Sequence, residues 1–341
     1  MPERQINLTS AEIASIWTSY MNDSMAKCIL GYFLEHVEDE EIRSIVQFSY
    51  DLSSAHIDKL TTIFQEEQIP TPTGFTYDDD VNFNAPRMYT DSFKLTYINH
   101  MAKVGLLANS GFISMSARND IRTFFIESIH ETTELFARSS NVAISKGTFI
   151  RAPYIPYPTE TDYIDTKKYL SGLSPFNKHR PLNAIEISHL FLNIQTNLIG
   201  SKLATSFAQA TSRNNIRKWM LRGRDISQKH IEIFTKILLN NDIIAPMPSD
   251  ICITDSTTAP FSDKLIMFHM SLLNATGTGN YATAAAVSQR SDLTLNYERL
   301  SLEVAQYTKD GADILIDNAW LEQTPGTTDK DQLTKKKDTS S

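Results

Sequence analysis

Residues 8–36, LTSAEIASIWTSYMNDSMAKCILGYFLEH, lie over residues 182–210, LNAIEISHLFLNIQTNLIGSKLATSFAQA, without a gap, and the same register carries on to Pro72 over Pro246. Glu12 falls on Glu186, Phe33 on Phe207, Arg43 on Arg217, Asp51 on Asp225 and His56 on His230, all at an offset of 174. Ala85-Pro86 matches Ala259-Pro260 at that spacing. Removing two residues after it sets the offset to 172 and aligns Asp91 with Asp263, Gly105 with Gly277, Arg118 with Arg290, Asp120 with Asp292, Glu131 with Glu303 and Pro153 with Pro325. One gap over so long a span points to two copies of one module. The period is far too long for a solenoid repeat, so each copy should be a domain with its own core.

Within the first copy, Leu8-Thr-Ser-Ala-Glu12 puts a capping hydroxyl ahead of a Glu, and Ile13, Ile16, Trp17, Tyr20 and Met21 then recur at three- and four-residue spacing. That stripe runs on through Met25, Cys28, Ile29, Tyr32 and Phe33. Glu38 to Glu41 marks a turn and the acidic start of a second helix, whose apolar face is Ile42, Ile45, Val46, Leu52, Ile57, Leu60 and Phe64. A third helix is predicted over 88–115 and a fourth over 118–146, with Gly147 as its stop. No segment alternates with a period of two, so an all-α chain is expected.

The connection from Gln68 to Arg87 is too long for a helical hairpin. A bundle helix of about 28 residues spans roughly 42 Å, and the loop can reach roughly 60 Å, enough to cross from one end to the other. Two hairpins joined by one long crossover is the ferritin-like arrangement. The reading is therefore two tandem ferritin-like four-helix bundles: residues 8–146 and 182–320, a Pro/Tyr-rich linker over 147–181, and a disordered polar tail over 321–341. In the linker, Arg151-Ala-Pro-Tyr-Ile-Pro-Tyr-Pro158 is expected to lie on a helical surface, because Tyr154, Ile155 and Tyr157 are too apolar for a free tether.

Composition narrows the function classes. Forty acids against 32 bases leave a net charge of −8 on 341 residues, which argues against nucleic acid or an anionic lipid surface as partner. Cys28 and Cys252 are the two cysteines, too few for a disulfide framework or a four-cysteine zinc site, and they fit a reducing compartment. Neither a signal peptide nor a membrane span is read, so a cytoplasmic setting is expected.

A ferritin-like frame raises the question of a two-metal carboxylate site, which needs a Glu from each of two helices and Glu-x-x-His from each of the others. Glu127-Ser-Ile-His130 has that spacing on the fourth helix, and with His56 these are the candidate Fe or Mn ligands. The remaining contributions fail. Helix two reads Ser53-x-x-His56, helix three holds no acid between Ser92 and Ala117, and helix one offers Asp23 rather than a central Glu. In the second copy Arg299 and Leu302 replace Glu127 and His130. The blander reading, a polar pair one turn apart and no cofactor, is the stronger. His56 and His230 are titratable at matching positions; a core histidine bonded to a neighbouring helix is the ordinary case, and a ligand contact with Tyr20 nearby the functional one. His100 and His269 do not match each other, since Tyr97 stands opposite His269. The Gly277-Thr-Gly279 letters resemble a dinucleotide loop but follow no strand, so close helix packing explains Gly277 and Gly105 better.

The stretches at 8–25, 180–187, 229–234 and 260–265 resemble an uncharacterised family of duplicated proteins from spore-forming bacilli. That family carries only a domain-of-unknown-function label, and its repeats look like the ferritin-like domain of spore coat protein F. The resemblance implies a bacterial origin, a tandem ferritin-like fold and a sporulation or spore-coat context, and it brings no catalytic residues with it. A non-catalytic structural or interaction protein with other proteins, including coat components, as partners is the expectation. A divergent metal-binding or oxidative ferritin-like protein and a carrier of a small apolar ligand are the alternatives.

Overall fold

The computed structural model describes residues 6–172, 180–245 and 252–330. Nine α-helices form among them: α1 (Ser10–His36), α2 (Glu40–Glu66), the single turn α3 (Tyr77–Asp80), α4 (Asp91–Ser114), α5 (Asn119–Ser145), α6 (Ala184–Ala210), α7 (Asn214–Leu239), α8 (Asp263–Val287) and α9 (Ser291–Asp317). No strand is present among the described residues. None of these helices is long and apolar enough to cross a membrane.

Local chemistry sets the helix ends. Thr9 and Asn183 close capping boxes with Glu12 and Glu186 at the starts of α1 and α6. Each Glu also reaches beyond its own helix. Glu12 Oε1 accepts from the backbone N–H of Ala117 (2.8 Å) and Arg118 (2.7 Å), and Glu186 Oε1 from Gln289 (3.2 Å) and Arg290 (3.0 Å). One buried carboxylate thus ties the first turn of α1 to the entry of α5, and its twin ties α6 to α9. Arg43 reaches back to the carbonyls of Leu34 and Val37, as Arg217 does to Thr211, so this repeated arginine fastens each first turn rather than pairing with Asp51, which accepts from Gln47. Gly147, at φ +67°, ends α5 as predicted.

Within each half α1 packs along α2 and α4 along α5, and α6 along α7 and α8 along α9. Two small apolar clusters sit at matching places, Ile16, Leu60, Phe64, Ile121 and Phe125 in the first half and Leu190, Phe234, Leu238, Leu293 and Tyr297 in the second. The main core is shared between the halves. Met25, Cys28, Phe33 and Phe93 belong to the same buried cluster as Leu203, Phe207, Leu265 and Met270.

The two crossovers pair with each other. Val81 bridges Phe261 and Tyr89 bridges Ile253, both antiparallel. Ser262 N–H donates to Asp80 O (3.0 Å) and Asn82 N–H to Pro260 O (2.9 Å); Thr90 N–H donates to Cys252 O (3.2 Å) and Thr254 N–H to Met88 O (2.8 Å). The second pair of bonds is the first with the halves exchanged at an offset of 172, so a pseudo-twofold axis passes between the crossovers. At that axis Tyr97 and His269, which occupy equivalent positions, touch: Tyr97 Oη lies 3.1 Å from His269 Nε2. The ladder also corrects the alignment. Equivalence at 172 already holds at Asp80, so the two-residue gap lies before it and the Ala85-Pro86 match to Ala259-Pro260 is a coincidence of letters.

Two boundary expectations change. Tyr154 and Tyr157 are 78 % and 93 % exposed, so the Arg151–Pro158 segment does not cover its aromatics against the helices; its three prolines hold it extended, and among the described residues that follow in the linker a 3-10 turn forms at Lys167–Leu170. Glu322, placed by sequence in the free tail, accepts from the backbone N–H of Thr73 (2.8 Å) and Gly74 (2.9 Å) and docks on the first crossover. The Lys335–Lys337 run lies outside the described residues.

Candidate functional site

The interior of the first half holds a three-residue charged row. Asp23 on α1, His56 on α2 and Glu131 on α5 meet there: His56 Nδ1 lies 3.3 Å from Asp23 Oδ2, and His56 Nε2 lies 2.8 Å from Glu131 Oε2. The imidazole is buried, with its edge against Phe124 at 5.6 Å between ring centres. Burial alone would push its pKa down, but the two carboxylates outweigh this and raise it to about 10, so His56 is an imidazolium at neutral pH. Glu131 is held below the usual carboxylate range by its bond from His56.

Glu127, His130 and His56 are not brought together. The inward stripe of α5 is Ile121, Phe124, Phe125, Ser128, Thr132 and Leu135, which turns positions 127 and 130 outward. Glu127 pairs with Lys59 at 2.9 Å on the surface, and His130 is exposed. Tyr20 packs edge-on against Phe64, 6.0 Å away, rather than beside His56. Glu131 was the partner to find: its match to Glu303 made it a carboxylate repeated on the fourth helix of both copies, next to the buried Thr132.

Beside the row opens a cavity of about 150 Å³. Small side chains make the room, among them Ala26, Ser49, Ser53, Ala102, Gly105 and Ser128. Two hydroxyls on its wall are turned into their own helix: Ser128 donates to Phe124 O (2.8 Å) and Thr132 to Ser128 O (2.6 Å). The wall facing the space is consequently mostly hydrocarbon, with the charged row at one edge.

The second half repeats the frame with different contents. His230 Nε2 lies 3.1 Å from Glu303 Oε2, as His56 does from Glu131. Asn197 stands in the place of Asp23, and Tyr281 on α8 in the place of Asn109 on α4. The Tyr281 hydroxyl accepts from Asn197 Nδ2 (2.7 Å) and lies 2.8 Å from His230 Nδ1. With a neutral amide where the first half has a carboxylate, burial prevails over Glu303 and lowers the pKa of His230, which is a neutral imidazole. The corresponding cavity shrinks to about 40 Å³. Gly105 does pack closely, its hypothetical Cβ coming 3.2 Å from Thr132 Cγ2, whereas nothing lies within 4 Å at Gly277. No group of three or more His, Cys, Asp or Glu among the described residues is arranged to hold a metal ion.

Residues 1–160 and 171–333 each match the family described as protein of unknown function, DUF3231. The chain belongs to that family. Two matched segments of one family suggest a tandem duplication, in line with the resemblance read from the sequence. Among solved structures, a "putative spore coat protein" from Bacillus halodurans C-125 is similar at 17 % identity and a TM-score of 0.38, over 47 % of the DUF3231 chain and 99 % of its own. No curated protein matches significantly.

Proposed function

We propose that this DUF3231 protein is a non-catalytic structural or interaction protein built from two tandem ferritin-like four-helix bundles, acting in a spore-coat setting alongside other coat proteins. The bundle reading is supported by helix order: two antiparallel pairs per half, separated by a long crossover. The observation that carries the non-catalytic reading is the engagement of both histidines. His56 has a carboxylate on each ring nitrogen, and His230 has Tyr281 on one and Glu303 on the other. An imidazole with both nitrogens committed, one of them as an imidazolium, has no lone pair to give a metal. The coat setting rests on the sequence resemblance.

Elemental analysis of protein purified without chelator tests the chemistry: sub-stoichiometric Fe and Mn are expected. Stoichiometric metal that disappears in His56→Ala would establish the divergent metal-binding alternative instead. Fluorescent fusion of the chain in a sporulating host tests the setting, with a ring at the spore periphery expected and diffuse label in the mother cell counting against it. A second reading, a carrier of a small apolar ligand, is favoured by the first-half cavity, whose size is that of an engineered protein cavity that stays dry and takes up benzene.

A further inference from the structure

The second half carries, covalently attached, an object seated where the first half has space. Tyr281 is buried to 1 % exposure, its ring packed edge-on to Phe234 at 5.7 Å and beside Tyr297 at 6.0 Å. Its hydroxyl meets the helix-two histidine and the helix-one amide. In the first half the polar end of that seat has its counterparts, His56 for His230, Asp23 for Asn197 and Glu131 for Glu303, while the ring partners Phe234 and Tyr297 become Leu60 and Phe125 and Leu300 becomes Ser128. The side chain at Tyr281's position is Asn109, which stays short of the row and lies 3.5 Å from Thr132 Oγ1. The cavity opens beside Asn109 and Ser128, where the second half has Tyr281 and Leu300, and Asp23 and His56 line it.

We propose that the first-half cavity binds a small monocyclic phenol, seated as the side chain of Tyr281 seats itself in the second half. The proposal rests on the carrier reading above and names the ligand class for it. Size agrees, because a cavity of about 150 Å³ accepts one six-membered aromatic ring. Polarity agrees as well. In the second half Asn197 can only donate through its amide nitrogen, so the Tyr281 hydroxyl accepts from it and gives its own proton to neutral His230. In the first half Asp23 can only accept and His56 carries a proton on each nitrogen. A phenol hydroxyl inserted between the two takes over their direct 3.3 Å contact, donating to Asp23 and accepting from His56 Nδ1–H, the two bonds of the second half with both directions reversed. Asn22 Oδ1, buried on the cavity wall without a hydrogen-bond partner, supplies a further acceptor for a ring bearing a second hydroxyl.

Isothermal calorimetry on the full chain with phenol, and with benzene as the ring lacking the hydroxyl, tests the proposal. Phenol should bind about tenfold more tightly than benzene, the factor expected for one hydrogen bond to a charged group. Asn109→Tyr installs the second half's occupant and should abolish phenol binding while leaving the far-ultraviolet circular dichroism unchanged. Benzene binding as tightly as phenol would overturn the phenol assignment and leave the carrier reading standing. Binding of neither would overturn both, and undiminished phenol binding by a folded Asn109→Tyr variant would overturn the location. Should that variant not fold, diffraction from unmodified protein soaked in 4-bromophenol decides independently: bromine is expected in the cavity with the phenol oxygen at hydrogen-bond distance from Asp23, and bromine elsewhere sinks the assignment.

Discussion

At the scale of single residues, Asp23 and Asn197 differ by one amide and leave the histidines beside them in different protonation states, His56 charged and His230 neutral. Asp23→Asn should therefore carry His56 from a pKa of about 10 to below the ordinary histidine value, as at His230. Imidazole ¹H–¹⁵N correlation spectra followed against pH measure this, and a titration of His56 unmoved by the substitution would refute the charge assignment. The pH dependence of stability has a sign for each half. His56 has a raised folded pKa, so its contribution is complete below about pH 6.5 and is lost as pH climbs through about 10. His230 has a lowered one, so its contribution is present above the ordinary histidine range and is lost as pH falls below it. Sequence singled out both histidines because the repeat aligns them. It missed Glu131 as partner because spacing alone favoured Glu127-x-x-His130, whereas the phase of the apolar stripe on α5 turns that pair to solvent.

At the scale of helices, glycines show where packing is tight and where it is not. Trp219 on α7 and Tyr307 on α9 stack at 4.4 Å between ring centres, and a Cβ on Gly311 would run into the Trp219 ring. Gly311→Ala should cost about 1–3 kcal/mol through overpacking. Gly277→Ala, in the middle of α8 with open space around its Cβ, should instead stabilise by about 0.5–1 kcal/mol. Urea unfolding of the two variants checks both signs. Glu12→Gln belongs to the same scale. Burial opposes charge on Glu12, but the hydrogen bonds from Thr9, Ala117 and Arg118 overcome it and keep the carboxyl below its usual range. Losing the charged acceptor should cost about 1–3 kcal/mol and raise amide exchange at Ala117 and Arg118. The helices were legible because amphipathic spacing and capping are local signals; the second bond of Glu12, to residues more than a hundred positions away, has no local signal.

For the whole molecule, the shared core and the paired crossovers should make the two halves unfold as one cooperative unit. Scanning calorimetry should show a single transition with equal calorimetric and van't Hoff enthalpies, and two resolved transitions would show that the halves unfold independently. The crossover ladder could not be read from sequence. It joins segments more than 160 residues apart through backbone groups, and the chance recurrence of Ala-Pro pointed to the wrong register.

That symmetric seam has a consequence for how the two interiors can differ. Were the same contacts made by two identical chains, every substitution would appear on both sides at once, and a tyrosine filling one chamber would fill its mate. Joining the partners in one polypeptide frees each chamber to change alone while the seam stays matched. Asn109 and Tyr281, at matching positions on either side of that seam, are what such freedom leaves behind: one chamber open, the other largely filled from within.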